Sequence, residues 1–425
     1  MFSFRSRVSA AVAATAAAGI SPGLAAAEVP DVSTALAAGN NAWMLTATAL
    51  VLFMTIPGLA LFYGGLVNRR NVLSVLMQCF SLAAVLSVVW MIAGYTLAVG
   101  RSGGLTGGWE ALFHRSVGPD KILGSAFQMT FFIITPALIV GTFVERIKFS
   151  GMLVFSVLWA LLVYAPVCHV TWFGGFLQTM GVIDLAGGIV VHITAGVAAL
   201  VACLMVGKRR RPEPPHNLPM TVTGTAMLWV GWFGFNAGSH GAASDAAAMT
   251  LFVTHLSAAT AACVWAGIEW CTIRKPSVLG AVTGAIAGLA AITPASGVAG
   301  PLGALVIGAV SGAVCWWASV RLKNRFGYDD SLDVVGVHGV GGLVGTILVS
   351  VAGLEALGGF GEFTFGKQLG LQLLASGVTI VYTAVVSYVL LRLVQATVGL
   401  RVTASEEGLG LDQVSHGEAA YNDAL

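Results

Sequence analysis

Three features of this 425-residue sequence predict an all-α integral membrane protein. It is 57% hydrophobic and only 9% charged, its mean hydropathy is +0.86, and its charges fall between long apolar windows. A soluble domain carries about a quarter charged residues, so water is not the main solvent of this chain. The 21 basic and 19 acidic residues nearly cancel, which gives no reason to expect nucleic acid or an acidic macromolecule as a partner. Six cysteines (Cys79, Cys168, Cys203, Cys263, Cys271 and Cys315) show neither CxxC spacing nor clustering, and are read as small core residues rather than disulfides or a metal site.

In chain order, Arg5 and Arg7 precede the apolar run from Val8 to Ile20, and Ala25-Ala26-Ala27 offers a small-residue cleavage site before Glu28. Residues 1–27 are read as a signal peptide, 28–400 as a transmembrane domain and 401–425 as a cytoplasmic tail. A short extra helix is the other reading of the first segment, although its run is shorter than the roughly 20 residues that span a bilayer. Lipid forces backbone polar groups to pair within the chain, so each long uncharged window reads as a helix. Eleven are expected: 42–66, 71–99, 122–144, 149–168, 186–207, 219–239, 246–270, a short one at 277–292, 301–320, 334–354 and 368–391.

Loop charge sets the expected orientation. With the N-terminus outside and the C-terminus inside, 15 basic residues fall in inner segments, among them Arg69, Arg70, Arg146, Lys148, Lys208 to Arg211, Arg274, Lys275, Arg321, Lys323 and Arg325. Only Arg101, Arg115, Lys121 and Lys367 fall outside, as the positive-inside rule requires. Eleven crossings divide into five, five and one, with the two fives in opposite orientation as an inverted repeat and one long final helix. Asp184-Leu-Ala-Gly-Gly-Ile-Val-Val-His192 and Asp330-Ser-Leu-Asp-Val-Val-Gly-Val-His338 match this scheme, each placing an acid eight residues before a buried histidine. Two unrelated capped helices would produce the same pattern, since Asp is common at helix starts. The 54 glycines suit close helix crossing.

Ionisable groups at membrane depth are costly and therefore functional candidates. His192 and His338 occupy equivalent positions, while His255 lies in the seventh window without a counterpart; a hydrogen-bonded structural role competes for each. A buried neutral imidazole donates at one nitrogen, accepts at the other and can relay a proton, which suits a protonated amine. Potassium has no proton to surrender, so an apolar passage admitting only the deprotonated species would reject it. Phe127 and Phe131 lie four residues apart on one face of the third helix, where they are either core or part of a mouth completed by Trp172 and by Trp232-Phe233-Gly-Phe235-Asn-Ala-Gly-Ser239. Such aromatic faces hold a cation with roughly 0.5–2 kcal/mol per contact; Trp172 is equally consistent with an interfacial anchor. Paired histidines also ligate haem iron, but here they lack partners arranged as two sites, and no cofactor is called for.

The stretches Thr55-Ile-Pro-Gly-Leu-Ala-Leu-Phe-Tyr-Gly-Gly65, Asp184 to His192, His216-Asn-Leu-Pro-Met220, Gly231 to Ser239 and Asp333-Val-Val-Gly-Val-His-Gly339 resemble the ammonium transporter family, and the match runs from about Asn41 to the C-terminus. The resemblance implies a homotrimer in the bacterial cytoplasmic (inner) membrane with one pore per subunit, for ammonium/ammonia and methylammonium as an analogue. An ammonium site at Phe127, Phe131, Trp172 and Ser239, a gate of Phe131 and Phe235, and the paired His192 and His338 are implied. Asp184, Asp330 and Thr293 support them. Ammonium would bind, lose its proton and pass as ammonia, with a separate coupled proton path and no enzymatic reaction. The tail from Gly408 to Tyr421 resembles the segment that family members present to a PII signal protein. A sensor and a Rhesus-like neutral gas channel are the alternatives within the fold. Two positions depart from expectation: His240, where a smaller residue is expected after Ser239, and Pro136, which removes a backbone donor and should kink the third helix.

Overall fold

The computed structural model describes residues 32–101 and 104–421. The expected signal peptide, 1–27, lies outside them. Contacts divide the chain into two units, Met1–Gly39 and Asn40–Leu425. Of the first, only the opening of one helix is described, and residues 33–39 are exposed.

The second unit is helical throughout, and no strand occurs among the described residues, only an isolated bridge between Ile147 and Arg401. Among those residues nine helices are long and apolar enough to cross a membrane: α1 (Ser33–Leu66), α2 (Val72–Val99), α3 (Pro119–Phe143), α4 (Phe149–Met180), α5 (Gly188–Val206), α7 (Asp245–Ile273), α9 (Pro301–Phe326), α10 (Val335–Ala352) and α11 (Phe365–Thr397). The sixth and eighth expected windows are also helical, as α6 (Leu218–Ala237) and α8 (Val278–Ile292), but neither ranks with the nine. Helix α8 has 15 residues, about 22 Å at 1.5 Å per residue.

Local chemistry explains where several helices begin. Asn217 accepts from the Met220 amide, Ser244 from Ala247 and Ser277 from Gly280, which caps α6, α7 and α8. Pro119 and Pro301 open α3 and α9, where a missing N–H costs nothing. Helix α1 is interrupted at Ile56, which is extended, as the residue before a proline tends to be. The observed ends differ from expectation at α4, whose main run continues to Trp172, so that residue is helical rather than placed in a loop. Helix α3 stays continuous through Pro136. Cys263 and Cys271 are exposed, unlike the other four cysteines, and so are not core residues; they sit on a face of α7 turned away from the bundle.

The basic loops gather at one end. Arg146 is fully buried, and its guanidinium donates to the carbonyls of Thr142, Val144, Gly207 and Asp329 and to Ser331 Oγ. One side chain thus ties the end of α3 to the exit of α5 and the approach to α10. Arg209 clamps Asp329 and Glu145, each at 2.9 Å. Burial would raise the Asp329 carboxyl, but the Arg209 side chain and amide hold it below the usual carboxylate range.

At the heart of the bundle α5 crosses α10 at two glycines. A Cβ on Gly196 would strike the Gly339 backbone nitrogen and Cα, whereas a Cβ on Gly339 would lie 3.2 Å from the Gly196 Cα. Both substitutions gain helix propensity, about 1 kcal/mol, but only the first forces backbone apart, and overpacking costs about 1–3 kcal/mol. Gly196→Ala is therefore expected to lower the thermal unfolding temperature in detergent more than Gly339→Ala. Equal melting of the two variants would contradict the crossing described.

Candidate functional site

The residues that position the site begin at Asp184. Its Oδ1 accepts from the amides of Gly187 (3.0 Å) and Gly188 (2.6 Å), and its Oδ2 from Ile189 (2.9 Å) and Val190 (3.2 Å). One buried carboxylate therefore satisfies the free amides that open α5. Gly187 sits at φ +116, where a Cβ would also press on Val191. Asp330 plays a lesser version of this part: its Oδ2 accepts from the Val335 amide at 2.7 Å, while its buried Oδ1 has no partner. Helices α5 and α10 then open alike, with π-helical turns, Gly188–Ile193 and Val335–Gly339, that carry His192 and His338. Such turns recur at functional positions.

Those turns bring the two imidazoles together. Their rings stack with centroids 5.2 Å apart, and Nδ1 lies 3.3 Å from Nδ1. Two facing nitrogens at that distance need one donor and one acceptor, so one ring carries its proton on Nδ1 and the other on Nε2. The His192 Nε2 is buried without a partner. Above His192, Phe235 stacks at 6.1 Å and Trp232 at 5.5 Å. Phe131 lies 4.3 Å from Phe235, and beyond it stand Phe127 (5.0 Å) and Trp172 (6.0 Å, edge to face). The Trp172 indole donates to the Asp184 carbonyl at 2.7 Å, which fixes that ring to the α5 cap. Ser239 is half-buried and donates to the Phe235 carbonyl at 2.8 Å, so its oxygen retains lone pairs for an incoming donor. Thr293 accepts from the Trp232 indole at 2.9 Å and does not itself reach the histidines.

Beneath Phe235 a cavity of about 10 Å³ is lined by Met54, Leu59, Phe62, Trp232, His192 and His338 among others, without a charged side chain. That is room for about one water-sized molecule. Phe62, Ile286 and His338 also line a wider cavity of about 190 Å³ at the basic end, where Arg209, Glu213 and Asp333 appear. The structure thus brings together all of Phe127, Phe131, Trp172, Phe235, His192 and His338. His255 does not join them: it is exposed beside Trp229 and Phe233. Sequence reasoning places Trp232 at the mouth, whereas it packs on His192, and it passes over His169, buried with Nδ1 3.1 Å from the Ala98 carbonyl. It also does not single out Met54, Leu59 and Phe62 as lining residues, because their apolar side chains look like any core.

The tail folds back on the basic end. Asp412 caps α2 through the Ser74 amide (2.7 Å), Asn71 accepts from Leu411 (2.7 Å), and Tyr421 meets His216 at 2.9 Å under Arg69.

Such a fold and site define a multi-span helical membrane protein with a small uncharged cavity against two histidines. Comparison with known proteins supplies the family. The model of the Ammonium Transporter Family matches residues 42–421. An ammonium transporter of Bacillus subtilis (strain 168) is 45% identical over 91% of this chain and 99% of its own length, and one from Aquifex aeolicus (strain VF5) is 43% identical over 90% and 93%. Among solved structures, a Sensor Amt Protein superposes with a TM-score of 0.85 at 27% identity over 90% of this chain and 100% of that one, and Saccharomyces cerevisiae Mep2 with 0.80 at 34% identity over 91% and 92%. The chain belongs to the ammonium transporter family, a family of transporters and not of enzymes.

The two aspartates make unequal demands. Asp184→Ala orphans four buried amides where Asp330→Ala orphans one, and each unsatisfied group costs about 1–3 kcal/mol. Thermal unfolding of the two variants is expected to show the larger loss at Asp184; a larger loss at Asp330 would refute the capping account.

Proposed function

We propose that this protein recruits ammonium at an outer site formed by Phe127, Phe131, Trp172 and Ser239, deprotonates it, and conducts ammonia past His192 and His338 with coupled proton transfer. One observation carries the reading. Directly below the Phe131–Phe235 pair, the only polar side chains that can exchange a proton with a guest in an otherwise uncharged cavity are two imidazoles 3.3 Å apart. A cation entering there would lose its water with no carboxylate to compensate, at a cost of several kcal/mol. Ammonium escapes that cost by leaving its proton behind, and potassium does not. The Phe131–Phe235 pair closes the way between mouth and cavity, so a guest passes when one ring turns. Asp184 and Thr293 act through the residues they hold, Trp172 and Trp232, and Asp330 through the start of α10.

In this reading the aromatic end faces outward and the basic end faces the cytoplasm, in accord with the positive-inside rule. Helices α1 to α11 all cross, as an inverted repeat of five and five with α11 added, residues 1–27 are a signal peptide, 28–400 the channel and 401–425 a regulatory tail. Three copies assemble in the bacterial inner membrane, and methylammonium is carried as an analogue. The tail, already docked against α2 through Asp412, is the surface offered to a PII signal protein.

Purified protein in proteoliposomes is expected to give a saturable ammonium-evoked current and none with potassium. The double variant His192→Ala with His338→Ala is expected to let potassium carry current. Ammonia flux without current would remove the coupled proton step, and neither flux nor current in correctly inserted protein would overturn transport itself. The likeness to the Sensor Amt Protein makes sensing the second reading, which that last outcome would favour. For the tail, a chain truncated after residue 403 is expected to lose retention of a PII protein on an affinity column while still carrying current. Retention by the truncated chain would place the contact elsewhere.

A further inference from the structure

His240 follows Ser239 in the turn Gly238–His240, between α6 and α7, and is half-buried. Its Nε2 lies 2.8 Å from Thr250 Oγ1. The single proton of that hydroxyl is directed to the Ser296 carbonyl, also at 2.8 Å, so Thr250 accepts and His240 donates. The network thereby assigns the tautomer: the proton sits on Nε2, and Nδ1 keeps a lone pair with no hydrogen-bond partner among the described residues. From Thr250 the polar contacts continue inward. Ser296 Oγ donates to the Thr293 carbonyl at 3.1 Å, Thr293 accepts from the Trp232 indole at 2.9 Å, and Trp232 stacks on His192.

A histidine held this way has two charge states and one geometry. Protonation occurs at Nδ1 and leaves the Nε2–H bond to Thr250 unbroken, so the ring gains a positive charge in place. We propose that His240 is a control residue of the ammonium mouth: neutral, it leaves the Ser239 oxygen open to the cation, and protonated it sets a like charge beside that oxygen and weakens recruitment. The inference rests on the proposed outer site of Phe127, Phe131, Trp172 and Ser239.

The ionisable groups on the elements around the ring are few. Asp245 opens α7, Asp120 and Lys121 stand in the first turn of α3, and Asp184 lies under Trp172; residues 40–53 of α1 and the α8–α9 turn contain none. Burial is the one cause that moves the ring, and it moves it below the usual histidine range. His240 is therefore neutral near pH 7 and acquires its charge only on acidification. Ser239 and His240 are consecutive, with Cα atoms about 3.8 Å apart; a like charge roughly 8 Å from the bound cation changes its affinity about twofold at the dielectric constant of water and about thirtyfold at the lower value typical of a protein surface.

The test is the ammonium concentration for half-maximal current, measured from about pH 7.5 to about pH 5 for the parent, His240→Gln, His240→Asn and Ser239→Ala, each first checked by thermal unfolding. Ammonium itself stays ionised over that range. The parent should lose affinity by about twofold or more as the ring gains its charge, and the two amide variants should lose less, because they donate to Thr250 without gaining charge. Parallel slopes in parent and amide variants would overturn the proposal. If Ser239→Ala weakens binding at every pH while those slopes are parallel, the outer site stands and only His240 falls. If Ser239→Ala leaves affinity unchanged, the outer-site reading falls and takes this one with it.

Discussion

Everything near the histidines depends on how closely α5 and α10 can approach. Two imidazoles with facing Nδ1 atoms at 3.3 Å require backbones nearer than ordinary side chains permit, and Gly196 against Gly339 provides that closeness. Further along α10, Gly342 packs on the His192 Cβ of α5 and Gly345 against the Ala291 carbonyl of α8, so no Cβ of α10 intervenes at either contact. In lipid, where apolar surface gains little by pairing with apolar surface, small residues and van der Waals contact are what hold helices together. The glycines that look like mere permissiveness in the sequence are the condition for the pair.

The second constraint is electrostatic. The uncharged passage proposed here must keep its polar groups satisfied without putting a charge on the path. The protein meets this by assigning charges to the ends and backbone bonds to the middle. Asp184 spends its carboxylate on four amides, and Arg146 spends its guanidinium on four carbonyls and a hydroxyl; neither lines the small cavity beside the histidines. A buried charge surrounded by fixed dipoles is tolerated where an isolated one is not. The loops at the basic end are clamped by the same means, through Arg209, Asp329 and Glu145.

Much of this is legible in the sequence because it depends on period and placement. Apolar windows locate the helices, and an acid eight residues before a histidine, twice, locates the pair and its caps. Less legible is anything decided by which way a side chain points. Trp232 and Phe233 are neighbours in one aromatic run, yet Trp232 stacks on His192 and Phe233 turns toward His255, and no count of aromatics separates them. His255 and His192 are both histidines in apolar helices, and only packing shows one exposed and the other enclosed. Pro136 removes a backbone donor but does not end the helix, which continues through it along a stretch buried on most sides. Arg146 escapes notice because its loop position suggests a solvated charge.

The similarity of the two halves also makes their difference informative. Asp184 is saturated and stands at the aromatic end, where Phe131, Trp172 and Ser239 offer ring faces and oxygen lone pairs. Asp330 keeps one buried oxygen unpaired and stands at the basic end, beside a cavity of about 190 Å³ in which Arg209, Glu213 and Asp333 present both signs of charge. In the proposed reading, ring faces and hydroxyl oxygens suit capture of a cation, because they bind it without neutralising it. In the proposed reading, the wider cavity with both signs of charge suits release, because water and carboxylates can return a proton to a neutral molecule as it leaves. The same pair of capped helices thus presents two chemically unlike openings, and the histidines stand where one gives way to the other.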